Sequence, residues 1–353
     1  MKALVMKEIG KIAWIDKEKP VCGPNDAIVK PLALAPCTSD IHTVYDGGIG
    51  DRHDVTLGHE GVGEVVEVGE MVKDFKVGDK VILSAVVPDW NSVESQNGHS
   101  QHSGGMLGGY KWTNLKDGMF AELIHVNDAD GNLTMLPEEV SLEEGCMLSD
   151  MVPTGFQAAD MADIQFGEVV AIFGIGPVGL MATAAANLRG AGRIIVIDSR
   201  QQTADIAREY YGATDYVDFK KGSIVEQVMA LTNGKGVDKA IITGGRADVL
   251  GTALEIVKAG GIISNINYYS GVDVVPIPVA AWGAGMSGKQ IRCDLMKGGR
   301  DRTEKLARLV QYKKLDVKPL VTNILHGFDK LEEGLDMMRT KPAGMIKPVV
   351  IVK

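Results

Sequence analysis

From position 169 to position 188 the chain runs twenty residues without a charge, long enough for a membrane span, yet Gly174, Gly176, Pro177 and Gly179 stand in its middle. Glycine and proline at that spacing divide the run into an apolar strand, a tight turn and a helix. The turn reads Gly174-Ile175-Gly176-Pro177-Val178-Gly179. Each glycine there meets a separate steric need. The first permits the turn, the second lets backbone approach a pyrophosphate, and the third lets the helix pack closely on the strand. Pro177 and Val178 open a helix whose N-terminal N–H groups suit phosphate oxygens.

The sequence around this turn alternates apolar strands (169–173, 193–197, 237–243, 262–266) with helical patterns from about 178, from about 202 and near 249–257. That alternation predicts an α/β architecture with a doubly wound parallel sheet. Asp198 ends the second strand about twenty residues after the glycines, where a carboxylate accepts hydrogen bonds from an adenosine ribose. This predicts NAD as the preferred dinucleotide. A 2′-phosphate ~4 Å from Asp198 would meet a repulsion of about 4 kcal/mol per unit charge. Ser199 and Arg200 follow at once and suit either stacking on adenine or gripping a phosphate, which leaves NADP open as a second cofactor.

The first ~150 residues have a different texture: short segments such as 27–30, 63–68 and 80–83 lie between Gly, Pro and Asp turns, which predicts an antiparallel β-rich domain. A polar loop at 88–114 is long enough for a functional or interface role. Beyond about 300 the pattern predicts amphipathic helices at 303–309 and 331–338 and a closing strand at 349–352. A net charge of −9 with no basic block argues against nucleic acid or an anionic membrane as partner. Four scattered cysteines (Cys22, Cys37, Cys146, Cys293) in no CxxC pair point to a reducing cytoplasm rather than a disulfide framework. The first residues carry no secretory pattern. At 353 residues, two domains are expected.

Chemistry concentrates in Cys37-x-Ser39-x-x-His42, His59-Glu60 and Asp150. A thiolate, an imidazole and a carboxylate suit tetrahedral zinc with one position open, the arrangement of a catalytic rather than a structural site. A Lewis acid there favours loss of a proton from an alcohol, which must precede loss of hydride from the adjacent carbon. Ser39 both accepts and donates, so it can pass that proton to His42. Taken singly the residues say little: Asp150 alone reads as a helix cap, His99 and His102 read as loop residues, and the methionine clusters read as core filler.

Together, the Cys37-Ser39-His42 run, Gly58-His59-Glu60, Asp150 before Thr154-Gly155-Phe156, and the glycine turn resemble the zinc-dependent medium-chain alcohol dehydrogenases, especially the tetrameric microbial secondary alcohol dehydrogenases. The resemblance runs nearly end to end, including Val126-Asn127-Asp128-Ala129-Asp130 and Ile346-Lys347-Pro348-Val349-Val350. It implies a GroES-like catalytic domain at 1–152, completed by 296–353, around a Rossmann domain at 153–295. It also implies one catalytic zinc on Cys37, His59 and Asp150, with Glu60 able to enter or leave the metal shell. No structural zinc is expected, because 88–114 has no cysteine.

Two departures stand out. NADP-preferring members carry Gly where Asp198 stands and Tyr where Phe219 stands. Tyr110 replaces their Trp, Val86 their Ile, and Met296 stands near their Cys, within an expected substrate pocket of Ala85, Val86, Tyr110, Tyr268, Leu295 and Met296. The resulting expectation is a cytoplasmic, homotetrameric, NAD-preferring zinc enzyme for secondary alcohols and ketones, with Ser39, His42 and Glu60 as catalytic residues. The alternatives are the same chemistry on a diol, polyol or steroid side chain, a zinc-free quinone reductase, and a nucleotide-binding relative without catalysis.

Overall fold

A computed structural model describes residues 1–48 and 52–352. The chain divides into two compact units, one of Met1–Pro153 with Lys297–Lys353 and the other of Thr154–Met296. Each border lies one residue later than the family resemblance implies.

In the second unit a six-stranded parallel sheet runs in the order Asp215–Asp218, Arg193–Asp198, Val169–Phe173, Val237–Ile242, Val257–Asn265, Gln290–Cys293. The chain enters at Val169–Phe173, winds outward to one edge, then returns to the other side of its starting strand. The reversal leaves the carboxyl ends of Val169–Phe173 and Val237–Ile242 at a topological switch point, where open α/β sheets bind ligands. Val170, Ala171 and Ile172 are fully buried, as are Ile241 and Ile242, because helices cover a parallel sheet on both faces and make its strands continuously apolar. The two edge strands, Asp215–Asp218 and Gln290–Cys293, are not predicted by the sequence pattern: the first carries Asp at both ends, and the exposed Gln290 and Cys293 and the charged Arg292 of the second lack the apolar run that marks an inner strand.

The first unit holds a seven-stranded sheet and a three-stranded one. Ala27–Leu34 pairs antiparallel with Gly61–Val68, which pairs with Lys80–Leu83. The strand pairs within the first ~150 residues are antiparallel, as expected, while the C-terminal strands Val321–His326 and Lys347–Ile351 add a parallel pair at one edge of the sheet. Val321–His326 is hard to read from sequence because none of its positions is fully buried, and its inward residues, Val321, Asn323 and Leu325, include a polar one. Lys347–Ile351 also pairs antiparallel with Ala27–Leu34, so the last strand lies against one of the first. The hairpin Lys2–Glu8 with Lys11–Asp16 is a further element that the sequence pattern does not announce, its turn lying at Ile9-Gly10.

Steric demands separate the glycines of the second unit. A β-carbon on Gly179 would lie 2.1 Å from the Gly174 carbonyl oxygen, whereas one on Gly176 would meet nothing nearer than an Arg200 guanidinium nitrogen at 3.8 Å. Gly179→Ala therefore should lower the unfolding free energy by about 1–3 kcal/mol, and Gly176→Ala should be close to neutral. Urea denaturation of both variants checks the contrast.

Candidate metal centre and dinucleotide site

Three chain segments of the first unit bring ligands to one point. Cys37 sits just ahead of the helix Thr38–Tyr45, His59 and Glu60 sit just ahead of the strand Gly61–Val68, and Asp150 ends the helix Leu142–Ser149. One donor atom from each of Cys37, His59, Glu60 and Asp150 lies within 4.8 Å of every other. His59 Nε2 stands 3.6 Å from Glu60 Oε1 and 3.7 Å from Asp150 Oδ2. Tetrahedral zinc with bonds of ~2.1–2.3 Å sets its ligand atoms about 3.4–3.8 Å apart. His59 Nε2 and Glu60 Oε2 are buried without a hydrogen-bond partner, a costly state for polar atoms unless a cation satisfies them. The donor set and spacing fit zinc.

Asp40 organises this point, and sequence reasoning passes over it. Its carboxylate accepts from Cys37 N at 2.9 Å and from Gly58 N at 3.1 Å, and its Oδ1 lies 3.3 Å from His59 Nδ1. One 2 % exposed side chain thus ties both ligand turns and aims the imidazole. The available signal is its place three residues after Cys37, where a carboxylate reaches back to the residue ahead of the helix. Ser149 ties the third segment in, its Oγ accepting from Gly61 N at 3.0 Å and donating to the Leu83 carbonyl.

Lys347 is a second site residue that sequence reasoning misses. Its Nζ donates to Glu60 Oε1 at 2.6 Å, and both side chains are fully buried. Burial pushes its ammonium down, yet Cys37 and Glu60 outweigh that and hold it above its ordinary value. Burial pushes the Cys37 thiol up, but Lys347 and His59 lower it to about 6. Burial works against a charged His59 ring too, and Tyr110, Asp40 and Asp150 carry it well above its ordinary value.

Ser39 Oγ lies 3.5 Å from Cys37 Sγ, and His42 Nδ1 pairs with Asp46, just past the end of the helix that carries both Ser39 and His42. Ala85 and Val86 are 1 % exposed, and Ala85 N donates to the Ser149 carbonyl at 3.0 Å, beside Asp150. Tyr110 meets the His59 ring edge-on with centroids 5.3 Å apart. Tyr268, Leu295 and Met296 belong to the second unit; Tyr268 is exposed and Met296 is buried. The loop 88–114 is knit by its own hydrogen bonds, including Asp89 N to Ser103 Oγ, Gly104 N to Glu94 Oε2 and Leu107 N to His102 Nδ1.

In the second unit Gly174 takes φ +80° beside the Gly244 backbone, and Gly176 precedes the helix Pro177–Leu188 with no side chain capping it. Val178 and Gly179 follow Pro177 in the first turn, so the uncapped helix end and the open space at Gly176 form a cradle that fits a pyrophosphate. Asp198 Oδ2 accepts from Ile175 N at 2.9 Å, while Oδ1 accepts from Ser199 N at 2.7 Å and Arg200 N at 3.1 Å. The Arg200 guanidinium lies 3.4 Å from the same carboxylate. Phe219 is 48 % exposed and follows Asp218, whose Cα is the register partner of Asp198.

This combination, a buried Cys/His/carboxylate cluster in a β-rich unit and a glycine turn at the switch point of a doubly wound sheet, defines a zinc-dependent dehydrogenase architecture. Residues 23–138 match the alcohol dehydrogenase GroES-like domain, and residues 177–310 match the zinc-binding dehydrogenase domain. The NADP-dependent isopropanol dehydrogenase of Thermoanaerobacter brockii is 57 % identical over 352 residues, covering 100 % of both chains. A probable NADP-dependent isopropanol dehydrogenase of Mycoplasma pneumoniae is 56 % identical, covering 99 % of this chain and 100 % of its own. Among solved structures, an alcohol dehydrogenase from Thermus sp. ATN1 aligns with TM-score 0.88 at 26 % identity, covering 100 % of both chains. The chain belongs to the zinc-dependent medium-chain alcohol dehydrogenase family.

Two outcomes are expected of the centre. Asp40→Asn should weaken zinc binding about 10–100-fold, measured by competition with a chelator, because the imidazole loses the carboxylate that aims it. In metal-free protein the thiolate of Cys37 should appear as pH rises through about 6, since a lowered pKa keeps the anion present above that value. Ultraviolet thiolate absorbance, with Cys37→Ala as the blank, follows it.

Proposed function

We propose that this protein oxidises secondary alcohols to ketones, and reduces ketones, with one zinc ion and a nicotinamide dinucleotide. The observation that carries the reading is the convergence of Cys37, His59, Glu60 and Asp150 on one buried point, in a chain that also carries the glycine turn. The isopropanol dehydrogenase names of its relatives support the substrate class. When bound, zinc supplies a Lewis acid for the substrate oxygen, and the dinucleotide supplies or accepts hydride. Cys37, His59 and Asp150 hold the metal, and Asp40 keeps the His59 ring in register. Ser39 takes the alcohol proton and passes it to His42. Asp46 pairs with Nδ1 of the His42 ring. Gly174, Gly176 and Gly179 admit the pyrophosphate to the helix end that begins at Pro177 and Val178.

The dinucleotide we propose is NAD in preference to NADP, although the relatives above are named for NADP. The Asp198 carboxylate supports this. It is 8 % exposed, fixed by three backbone N–H groups, and set where a 2′-phosphate would meet its charge. Arg200 softens that repulsion, so NADP is expected to be used less well rather than excluded. Self-association is supported by apolar side chains in the segment that leads into the edge strand Gln290–Cys293, among them Tyr268, Val274, Val279 and Met286, all at least 60 % exposed. We propose a homotetramer, measurable by light scattering. Cytoplasmic residence is proposed from four cysteines that form no disulfide. Among the described residues no helix is long and apolar enough to cross a membrane.

Purified protein should contain one zinc per chain and reduce NAD when given 2-propanol or 2-butanol. Cys37→Ala should lose both metal and turnover. Metal-free Cys37→Ala with full activity would refute the reading. Asp198→Gly should raise the ratio of kcat/KM for NADP over NAD by about tenfold or more, the change for each ~1.4 kcal/mol of repulsion removed. An unchanged ratio would remove Asp198 from cofactor choice.

A further inference from the structure

Tyr110 is a polar side chain beside the metal centre that neither the ligand set nor the proton route uses. Its ring meets the His59 imidazole edge-on, with centroids 5.3 Å apart. The residue is half-buried, and among the described residues its hydroxyl makes no hydrogen bond. A phenol keeps its proton at neutral pH, so this group both donates and accepts.

The backbone holds Tyr110 in place from both sides. Ahead of it, the Gly109 carbonyl accepts from Val87 N at 2.9 Å, and after it, the fully buried Trp112 donates from Nε1 to the Ser84 carbonyl at 2.9 Å. Between those two anchor points lies Ala85, whose N donates to the Ser149 carbonyl at 3.0 Å, one residue before Asp150. Tyr110 N itself donates to the Leu107 carbonyl at 3.0 Å. The segments that carry Tyr110 and Asp150 are thus fixed to one another within the first unit, and the ring contact adds His59. A donor held in place beforehand lowers the ordering cost of binding through it.

We propose, resting on the zinc and dinucleotide reading above, that Tyr110 is a specificity-determining residue whose hydroxyl takes a second oxygen of the substrate, on the carbon next to the one that is oxidised or reduced. The substrate class is then vicinal diols and the matching α-hydroxy ketones. A plain secondary alcohol sets hydrocarbon against the phenol and leaves its hydroxyl without a partner, an unfavourable exchange. A ring that only packed on the imidazole would need no hydroxyl, since phenylalanine meets an imidazole edge-on equally well.

The test uses zinc-loaded whole protein and two pairs of compounds that differ by one hydroxyl: 3-hydroxy-2-butanone against 2-butanone, and 2,3-butanediol against 2-butanol. Tyr110→Phe should lower the ratio of kcat/KM for the hydroxylated member over the plain one by about tenfold, the scale of one hydrogen bond lost in a desolvated site. The ratio of dissociation constants for 2,3-butanediol and 2-butanol, from calorimetry, should shift in the same sense and needs no turnover. Should Tyr110→Phe not fold, wild-type protein decides the matter: it should bind 2,3-butanediol about tenfold more tightly than 2-butanol. An unchanged or raised ratio in Tyr110→Phe would overturn the proposal, as would equal binding of the two alcohols by wild-type protein. Wild-type zinc protein that turns over neither member of either pair would instead bring down the underlying functional reading, and the inference with it.

Discussion

The burial of like charges is the constraint around which the first unit is built. A thiol, an imidazole and two carboxylates are gathered where Cys37, His59 and Glu60 are 7 %, 1 % and 0 % exposed. Gathering them is unfavourable unless cations and donors compensate. The fold supplies several kinds of compensation: Lys347 against Glu60, backbone N–H groups against Asp40, and a ligand spacing that admits a divalent ion. Removing one partner of a buried pair of this kind typically costs about 3–5 kcal/mol, so the cluster stands or falls as a unit.

This requirement accounts for the path of the chain. Glu60 and Lys347 are 287 residues apart in sequence, and the C-terminal strand Lys347–Ile351 must return to Ala27–Leu34 to bring them together. Residues 297–353 are therefore part of the first unit although the whole second unit intervenes. Asp40 does locally what Lys347 does at long range, tying the turn before Thr38–Tyr45 to the turn before Gly61–Val68. The second unit works without buried charge clusters at its cradle. There, close approach of backbone at Gly174 and Gly179 and open space at Gly176, with a helix end left uncapped, make room for an anion.

Local pattern carries much of this architecture. The strands Val169–Phe173, Arg193–Asp198 and Val237–Ile242 are legible because parallel strands covered on both faces are written as unbroken apolar runs. Elements at sheet edges are not legible: Gln290–Cys293 is exposed on both faces, and Val321–His326 is exposed on one and only half-buried on the other, so their patterns resemble loops. The ligand residues Cys37, His59, Glu60 and Asp150 are legible by residue type and by family resemblance. The groups that support them are not. Asp40 looks like an ordinary helix-start residue, and Lys347 like a surface lysine at the start of a strand.

The sequence by itself determined the donor set, the glycine turn, the acidic residue at the end of the second parallel strand and the absence of cysteine from the polar loop, since these depend on residue type and short spacing. Only the tertiary structure decided which side chains share a charge. Asp40 beneath His59, Lys347 against Glu60 and Tyr110 on the edge of the imidazole are contacts between distant segments. The physical reason is that electrostatic compensation acts through space over a few ångströms, whereas sequence pattern records only which face of its own element a residue occupies.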